Sequence, residues 1–304
     1  MFELNNFRSL NFDDATTSLW VFKSSGSSAD PKFNGHWVEI GNDVKEAIKG
    51  VVNSERARIT EAINYSLLAQ TNEASALSIA SDETFIERIE TNVAAELPQK
   101  RAIDVKTLLN SSFYVIKIVV GARTILAVKK TTSNWRTKKA KGIVPVLFAN
   151  SQLVLNSNQG FEILRSIDFF VYNGSIAILS KPNFESILKY KAAHVNDFTE
   201  MQNEQEFVDL FADILPLSEY VSTNKIQLRR ASAIRLKGHY KDDEFMGRLR
   251  DHGAEYGLNI NFNDAGQIVP TEETCRDIFQ ALLDHRLTSA FSLSNYDVDD
   301  TQPV

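Results

Sequence analysis

The chain has 304 residues, 43% of them hydrophobic, and 39 carboxylates against 33 lysines and arginines give a formal net charge of −6. That length exceeds the usual single domain, and that composition excludes extended disorder. A single cysteine excludes a disulfide framework and a multi-cysteine zinc site, and it fits a reducing cytoplasm.

The opening MFELNNFRSLNFDD has neither a basic n-region nor an apolar core, so no signal peptide is expected. TSLWVFKSS and HWVEI read as strands, Trp20 and Phe22 alternating with Leu19 and Val21. Asn42 or Asp43 can cap a helix running to about Tyr65, with Val44, Ile48, Val51, Val52, Ile59 and Ile63 on one stripe. SDETFIERIETNVAAEL reads as a second helix that Pro98 stops. These elements make an N-terminal α/β region over residues 1–104.

Residues 105–304 form a sheet-plus-helical region, possible as one continuous fold with the first. SSFYVIKIVV and RTILAVKK flank a Gly-Ala turn and suggest a hairpin. IVPVLFA and SQLVLN continue the run of strands. IDFFVY and SIAILS then flank Asn173-Gly174, the strongest hairpin signal in the chain. Strands in such succession, with short links, predict a mostly antiparallel sheet. The apolar runs, FYVIKIVV among them, are too short to span a bilayer. Helices follow: KPNFESILKYK with Asn183 as cap, NEQEFVDLFADILPL, DDEFMGRLRDHGAEYG ending near Gly257, and TEETCRDIFQALLDHRL. LNINFNDAGQIVP reads as a small hairpin, and the acidic YDVDDTQPV as a frayed tail. The fold class expected is α+β, a central mostly antiparallel sheet with helices packed at its side and end.

Charge is distributed unevenly along this chain. Residues 105–161 contain no Asp or Glu but nine cations: Lys106, Lys117, Arg123, Lys129, Lys130, Arg136, Lys138, Lys139 and Lys141. The segment is therefore about +9 by direct count, leaving about −15 elsewhere. A local field of that kind attracts polyanions whatever the net charge. Six of the cations crowd VKKTTSNWRTKKAKG around Trp135, which can stack on a base. The bland alternative is a solvated loop with Trp135 plugging the sheet. A second basic set, Lys225, Arg229, Arg230, Arg235, Lys237 and Lys241, precedes Asp242, Asp243 and Glu244. It either extends a DNA groove or pairs with those carboxylates on a helix surface.

Catalytic patterns are thin. There is no Walker A sequence and no G-x-G-x-x-G, and the five histidines are scattered. Cys275 falls on the apolar face of its helix and reads as a packing residue. Asp104 and the Asp242/Asp243 pair supply the residue types of a metal site without a recognisable arrangement. Asp168, near a strand start, reads as a structural residue holding the hairpin. No cofactor or metal is called for.

The stretches GFEILRSIDFFVYNGSIAILSKPNFESILKY, LRRASAIRLKGHYKDDEFMGRL and CRDIFQALLDHRLTSAFSLSNYDV resemble the KwaB-like family, the DNA-binding component of the Kiwa antiphage defence system. The resemblance covers residues 105–297 and rests on fold-supporting patterns rather than catalytic motifs. It implies a cytoplasmic protein that homo-oligomerises, is recruited to the inner membrane by a membrane-embedded KwaA partner, and binds phage DNA. Combined with the charge pattern, it assigns DNA contacts to Arg123, Lys129, Lys130, Trp135, Arg136, Lys138, Lys139 and Lys141. Arg229, Arg230, Arg235 and Lys237 stand as a second group. The expected function is a non-enzymatic antiviral effector that obstructs replication or transcription of invading DNA by occupancy. The alternatives are a metal-dependent nuclease of unfamiliar type, or an interaction protein whose basic face docks an acidic partner or a membrane.

Overall fold

The computed structural model describes residues 2–27, 30–131, 146–149, 152–155, 160–190 and 197–300. The chain divides into two compact units, residues 1–64 with 71–190 and residues 65–70 with 191–304. The architecture is α+β.

In the first unit the elements run α1 (Leu4–Arg8), β1 (Thr16–Gly26), β2 (Pro31–Val38), α2 (Asn42–Arg58), β3 (Glu61–Asn64), β4 (Ser75–Ala80), α3 (Glu87–Val93) and α4 (Val105–Leu109). They continue with β5 (Phe113–Val120), β6 (Arg123–Lys130), β7 (Val146–Ala149), β8 (Gln152–Leu155), β9 (Phe169–Tyr172), β10 (Ser175–Ile178) and α5 (Lys181–Leu188). Eight strands form one sheet in the order β2-β1-β5-β6-β9-β10-β4-β3. Among the described residues every neighbouring pair is antiparallel except β3 with β4. β1 pairs with β5, so strands on both sides of position 104 share this sheet, and the chain divides near residue 190 instead.

Both faces of the sheet are buried, which is why FYVIKIVV is apolar almost throughout rather than alternating. Tyr114, Ile116 and Ile118 of β5 face Ile48 and Val52 of α2, together with Phe7 of α1. On the opposite face Phe22 stacks on Phe113 with ring centroids 4.9 Å apart, and Phe169 meets Phe184 of α5 edge-on at 5.4 Å. Gly35 of β2 has no room for a side chain, because a Cβ there would stand 2.6 Å from the Phe22 ring. Arg56 holds α1 to α2: Nη1 donates to the Phe7 and Leu10 carbonyls at 2.9 and 2.7 Å, and the guanidinium lies over Phe12.

Turn chemistry sets the hairpins. Asn173 and Gly174 take φ of 49° and 71°, the left-handed pair that a two-residue turn between twisted strands requires. Other expectations are corrected. The helix from Asn42 ends at Arg58, not near Tyr65: Ile59 is extended, and residues 61–64 leave to pair with β4. β7 and β8 pair with each other in a separate ribbon rather than extending the large sheet. Ser180, not Asn183, occupies the N-cap of α5.

The second unit contains α6 (Asp197–Met201), α7 (Gln205–Val208), α8 (Leu215–Val221), α9 (Lys225–Lys237), α10 (Asp243–His252), α11 (Cys275–Leu282), β11 (Arg286–Thr288) and β12 (Asn295–Asp297). Its core gathers Phe207, Phe211, Val221, Ile234, Ile278 and Phe279. The helix expected over NEQEFVDLFADILPL is broken into α7 and α8. Ile268 takes the backbone groups between them, donating to Leu210 O at 2.7 Å and accepting from Ala212 N at 2.9 Å. LNINFNDAGQIVP makes one antiparallel bridge, Phe262 with Ile268. The tail is not frayed where expected: β12 pairs with β11, and Val298 N donates to His285 O at 2.9 Å.

Two outcomes follow from this packing. His285 is fully buried, and burial, with Lys237 adding its charge, pushes its imidazole down to about 4. The neutral ring's contribution is full above the ordinary value of 6.5 and is lost as pH falls toward 4, about 3 kcal/mol in all. Denaturant unfolding of wild type and His285→Asn between pH 4 and 7.5 should diverge across that window; parallel curves would contradict it. Asp168, fully buried and paired with Lys129, gives the second. Asp168→Ala should cost about 3–5 kcal/mol, because it strands a buried ammonium. Adding Lys129→Met should recover part of that loss in a double-mutant cycle, and strict additivity would show that the pair is not coupled.

Candidate nucleic-acid interface

The acid-free segment contains β5 and β6 and ends at Phe161; β6 and β9 are neighbours in the sheet, Val128 opposite Phe169, and Glu162 and Asp168 precede β9. The stretch of sequence between β6 and β9 is the basic excursion, in which β7 and β8 pair with each other. Its root is pinned: Thr131 N donates to Ser112 O at 3.0 Å, and Thr131 Oγ1 to Ser111 O at 2.8 Å.

Asp168 closes the other side of the root. Its Oδ1 accepts from Lys129 Nζ at 2.8 Å and from Asn183 Nδ2 at 2.9 Å, while Oδ2 accepts from Lys130 N at 2.7 Å. Its backbone nitrogen donates to Val128 O, and its backbone oxygen accepts from the Leu179 and Ser180 amides. Such a carboxylate has its charge neutralised and its lone pairs used, so it holds the hairpin and α5 as a structural residue.

This geometry sorts the assigned contacts. Lys129 is removed from them: its ammonium is spent on Asp168 inside the protein, out of reach of a phosphate. Lys130 stays at the surface end of β6, where Nζ donates to the exposed Ser186 hydroxyl at 2.8 Å. Arg123 is exposed at the opposite end of the same strand, seven residues away and hence about 23 Å off, so it does not share a site with Lys130. Trp135, Arg136, Lys138, Lys139 and Lys141 lie outside the described residues, as does the Lys225 side chain. Lys117 caps the end of α3, donating to Val93 O and Ala94 O at 2.7 and 3.3 Å.

The second basic set is drawn inward. Arg235 pairs with Glu200, with Glu204 at 3.0 Å and with Asp197 at 3.2 Å. Lys241 lies 3.4 and 3.5 Å from Glu204 and Glu206. Lys237 Nζ donates to Leu283 O at 2.8 Å. Arg235 and Lys237 therefore have donors engaged by acceptors of the protein itself, and Arg229 and Arg230 are half-buried on α9. The pairing expected with Asp242, Asp243 and Glu244 takes other partners. Asp242 caps α10 through the Glu244 and Phe245 amides, and the carboxylates of α6 and the stretch beside α7 supply the counter-charge.

The two units consequently differ in charge. The first carries 22 Lys and Arg against 19 Asp and Glu; the second carries 11 against 20. Asp104 caps α4 through Lys106 N at 2.9 Å, and Cys275 is fully buried, its thiol pushed up by that burial. Among the described residues no group of three or more His, Cys, Asp or Glu side chains could hold a metal ion. No helix among them is long and apolar enough to cross a membrane.

The Lys129–Asp168 pair was missed as a pair, although a signal existed: an acid opening the apolar strand IDFFVY needs a buried cation. The inward pairing of α9 left no such signal, because its partners lie some thirty residues away in sequence.

No match was found among curated proteins, and none among solved structures. Residues 108–292, more than half of the chain, match the family described as Kiwa protein KwaB-like. With strands β5 to β10, the basic stretch between β6 and β9 and most of the second unit inside the matched range, the chain belongs to the KwaB-like family and is a component of the Kiwa antiphage defence system.

Proposed function

We propose that the protein binds DNA through the excursion from β6, with Lys130, Arg136, Lys138, Lys139 and Lys141 on backbone phosphates and Trp135 on a base. By occupying DNA it obstructs replication or transcription of an invading genome, without cleaving it. The observation that carries this reading is the partition of charge. The acid-free segment belongs to the first unit and brings it to 22 cations against 19 carboxylates, Lys129 and Asp168 cancelling each other, while the second unit carries 11 against 20. A local positive field of that kind holds a polyanion, and the acidic unit repels it elsewhere.

Binding should be sequence-independent and steeply salt-dependent, because phosphate contacts release counterions. Replacing Lys138, Lys139 and Lys141 together with alanine should flatten the log–log salt slope by roughly 2–3 units. Trp135→Ala should instead weaken single-strand binding by about 1–3 kcal/mol and leave the slope unchanged. In the same reactions Mg²⁺ or Mn²⁺ should leave the strands intact. A folded triple variant that binds as tightly as wild type at every salt concentration would refute the assignment, and metal-dependent cleavage would refute occupancy as the mechanism.

The same reading includes homo-oligomerisation in the cytoplasm and recruitment to the inner membrane by a membrane-embedded KwaA partner. Expressed alone, the protein should fractionate with soluble proteins; co-expressed with that partner, it should pellet with membranes. Pelleting of the lone protein would point to direct lipid binding by the basic face.

A further inference from the structure

The second unit contains a cavity of about 220 Å³ between α10 and α11. Phe245 and Leu249 of α10, Leu258, and Gln280 of α11 line it, with Tyr256 and Asp284 at exposed positions. The apolar lining is interrupted at Gln280. That residue is only 3% exposed, yet its Oε1 has no hydrogen-bond partner among the described residues. A buried oxygen without a donor costs stability, and an apolar side chain of similar shape would remove the cost. Packing alone therefore does not account for a glutamine here. A half turn of the amide exchanges Oε1 and Nε2 without changing its shape, so the shielded carbonyl can be presented to a donor in the cavity.

The charges around the cavity leave one sign open. Arg248 Nη1 pairs with Glu244 at 2.5 Å, and His252 Nδ1 lies 3.2 Å from Glu255. Arg286 Nε donates to Asp297 at 2.7 Å, and its Nη1 donates to the Tyr256 and Gly257 carbonyls at 2.9 and 3.0 Å. The Asp284 carboxylate makes no hydrogen bond or ion pair among the described residues, and Lys237 acts on it only at longer range. Asp284 follows the end of α11 in left-handed backbone, φ 55°, where the last helical carbonyls already present negative charge. Asparagine would serve that backbone equally well without adding to the charge. The whole unit, with 11 Lys and Arg against 20 Asp and Glu, attracts cations.

We propose that this cavity binds a small organic cation, an ammonium or guanidinium group on a short apolar body. Its N–H groups meet the Gln280 carbonyl and the Asp284 carboxylate, and its body lies among Phe245, Leu249 and Leu258. Tyr256, 45% exposed, adds an aromatic ring of the kind that attracts cations. The volume lies below the roughly 300–1,000 Å³ of drug-sized pockets, which limits the ligand to a small one. The site stands apart from the DNA reading.

The test is a titration of the full-length protein with butylguanidinium, butylammonium and neutral butylurea at constant ionic strength. Thermal melting and the Gln280 side-chain amide signals in NMR are the two readouts. The cations should raise the melting temperature by a few degrees and saturate, the Gln280 signals shifting along the same curve. Butylurea donates but carries no charge, and should bind about tenfold more weakly or worse. Gln280→Leu removes the acceptor and should melt at or above wild type, because the orphaned oxygen goes with it. Asp284→Asn keeps the left-handed backbone and removes the charge. Each variant should weaken cation binding by about tenfold or more. Gln280→Met takes the place of the leucine variant should that one not fold. A response to one cation alone supports the site and fixes its head group. No saturable response to either cation, equal binding of butylurea, or a variant that binds as wild type does overturns the site.

Discussion

A carboxylate without exposed surface must find compensation within the protein, and Asp168 draws it from three elements together. Lys129 and the Lys130 amide come from β6, Asn183 comes from α5, and the backbone of Asp168 ties the start of β9 to the end of β10. Removing any one partner leaves a buried charge or an orphaned amide, so the group is ordered as a whole or not at all. The central strands, the α5 layer and both feet of the basic excursion depend on this one side chain.

The clamp also shapes the electrostatics. Asp168 and Lys129 cancel each other inside the protein, so Asp168 carries no uncompensated negative charge beside the end of β6. The second unit follows the opposite rule. There Arg235, Lys237 and Lys241 are met by Asp197, Glu200, Glu204, Glu206 and Asp300, and their charge is consumed locally. Two basic stretches with similar composition therefore have different prospects. One has no acid in its own sequence; the other is embedded in a network of carboxylates. Glu204 shows how dense that network is, serving Arg235, Lys241 and the Tyr240 hydroxyl together.

Local chemistry made much of this fold legible. Asn173-Gly174 and Gly121 mark the two central hairpins because only particular residues tolerate positive φ, and the apolar face of α11 follows from helical spacing. The charge asymmetry is likewise a property of the sequence itself, independent of folding. Pairing across long separations was not legible. Ile59 and Ile63 fit a helical stripe, yet β4 offers residues 61–64 a strand partner, and that tertiary bond outweighs local propensity. Ile268 breaks a helix that the spacing of Phe207, Leu210, Phe211 and Ile214 allows. The sequence by itself determined the strands β1, β2, β5, β6, β9 and β10, the turns of the two central hairpins and where positive charge accumulates. Only the tertiary structure decided which cations remain available, because an ion pair depends on distance in space, and residues 129 and 168, or 204 and 235, meet only after the chain has folded.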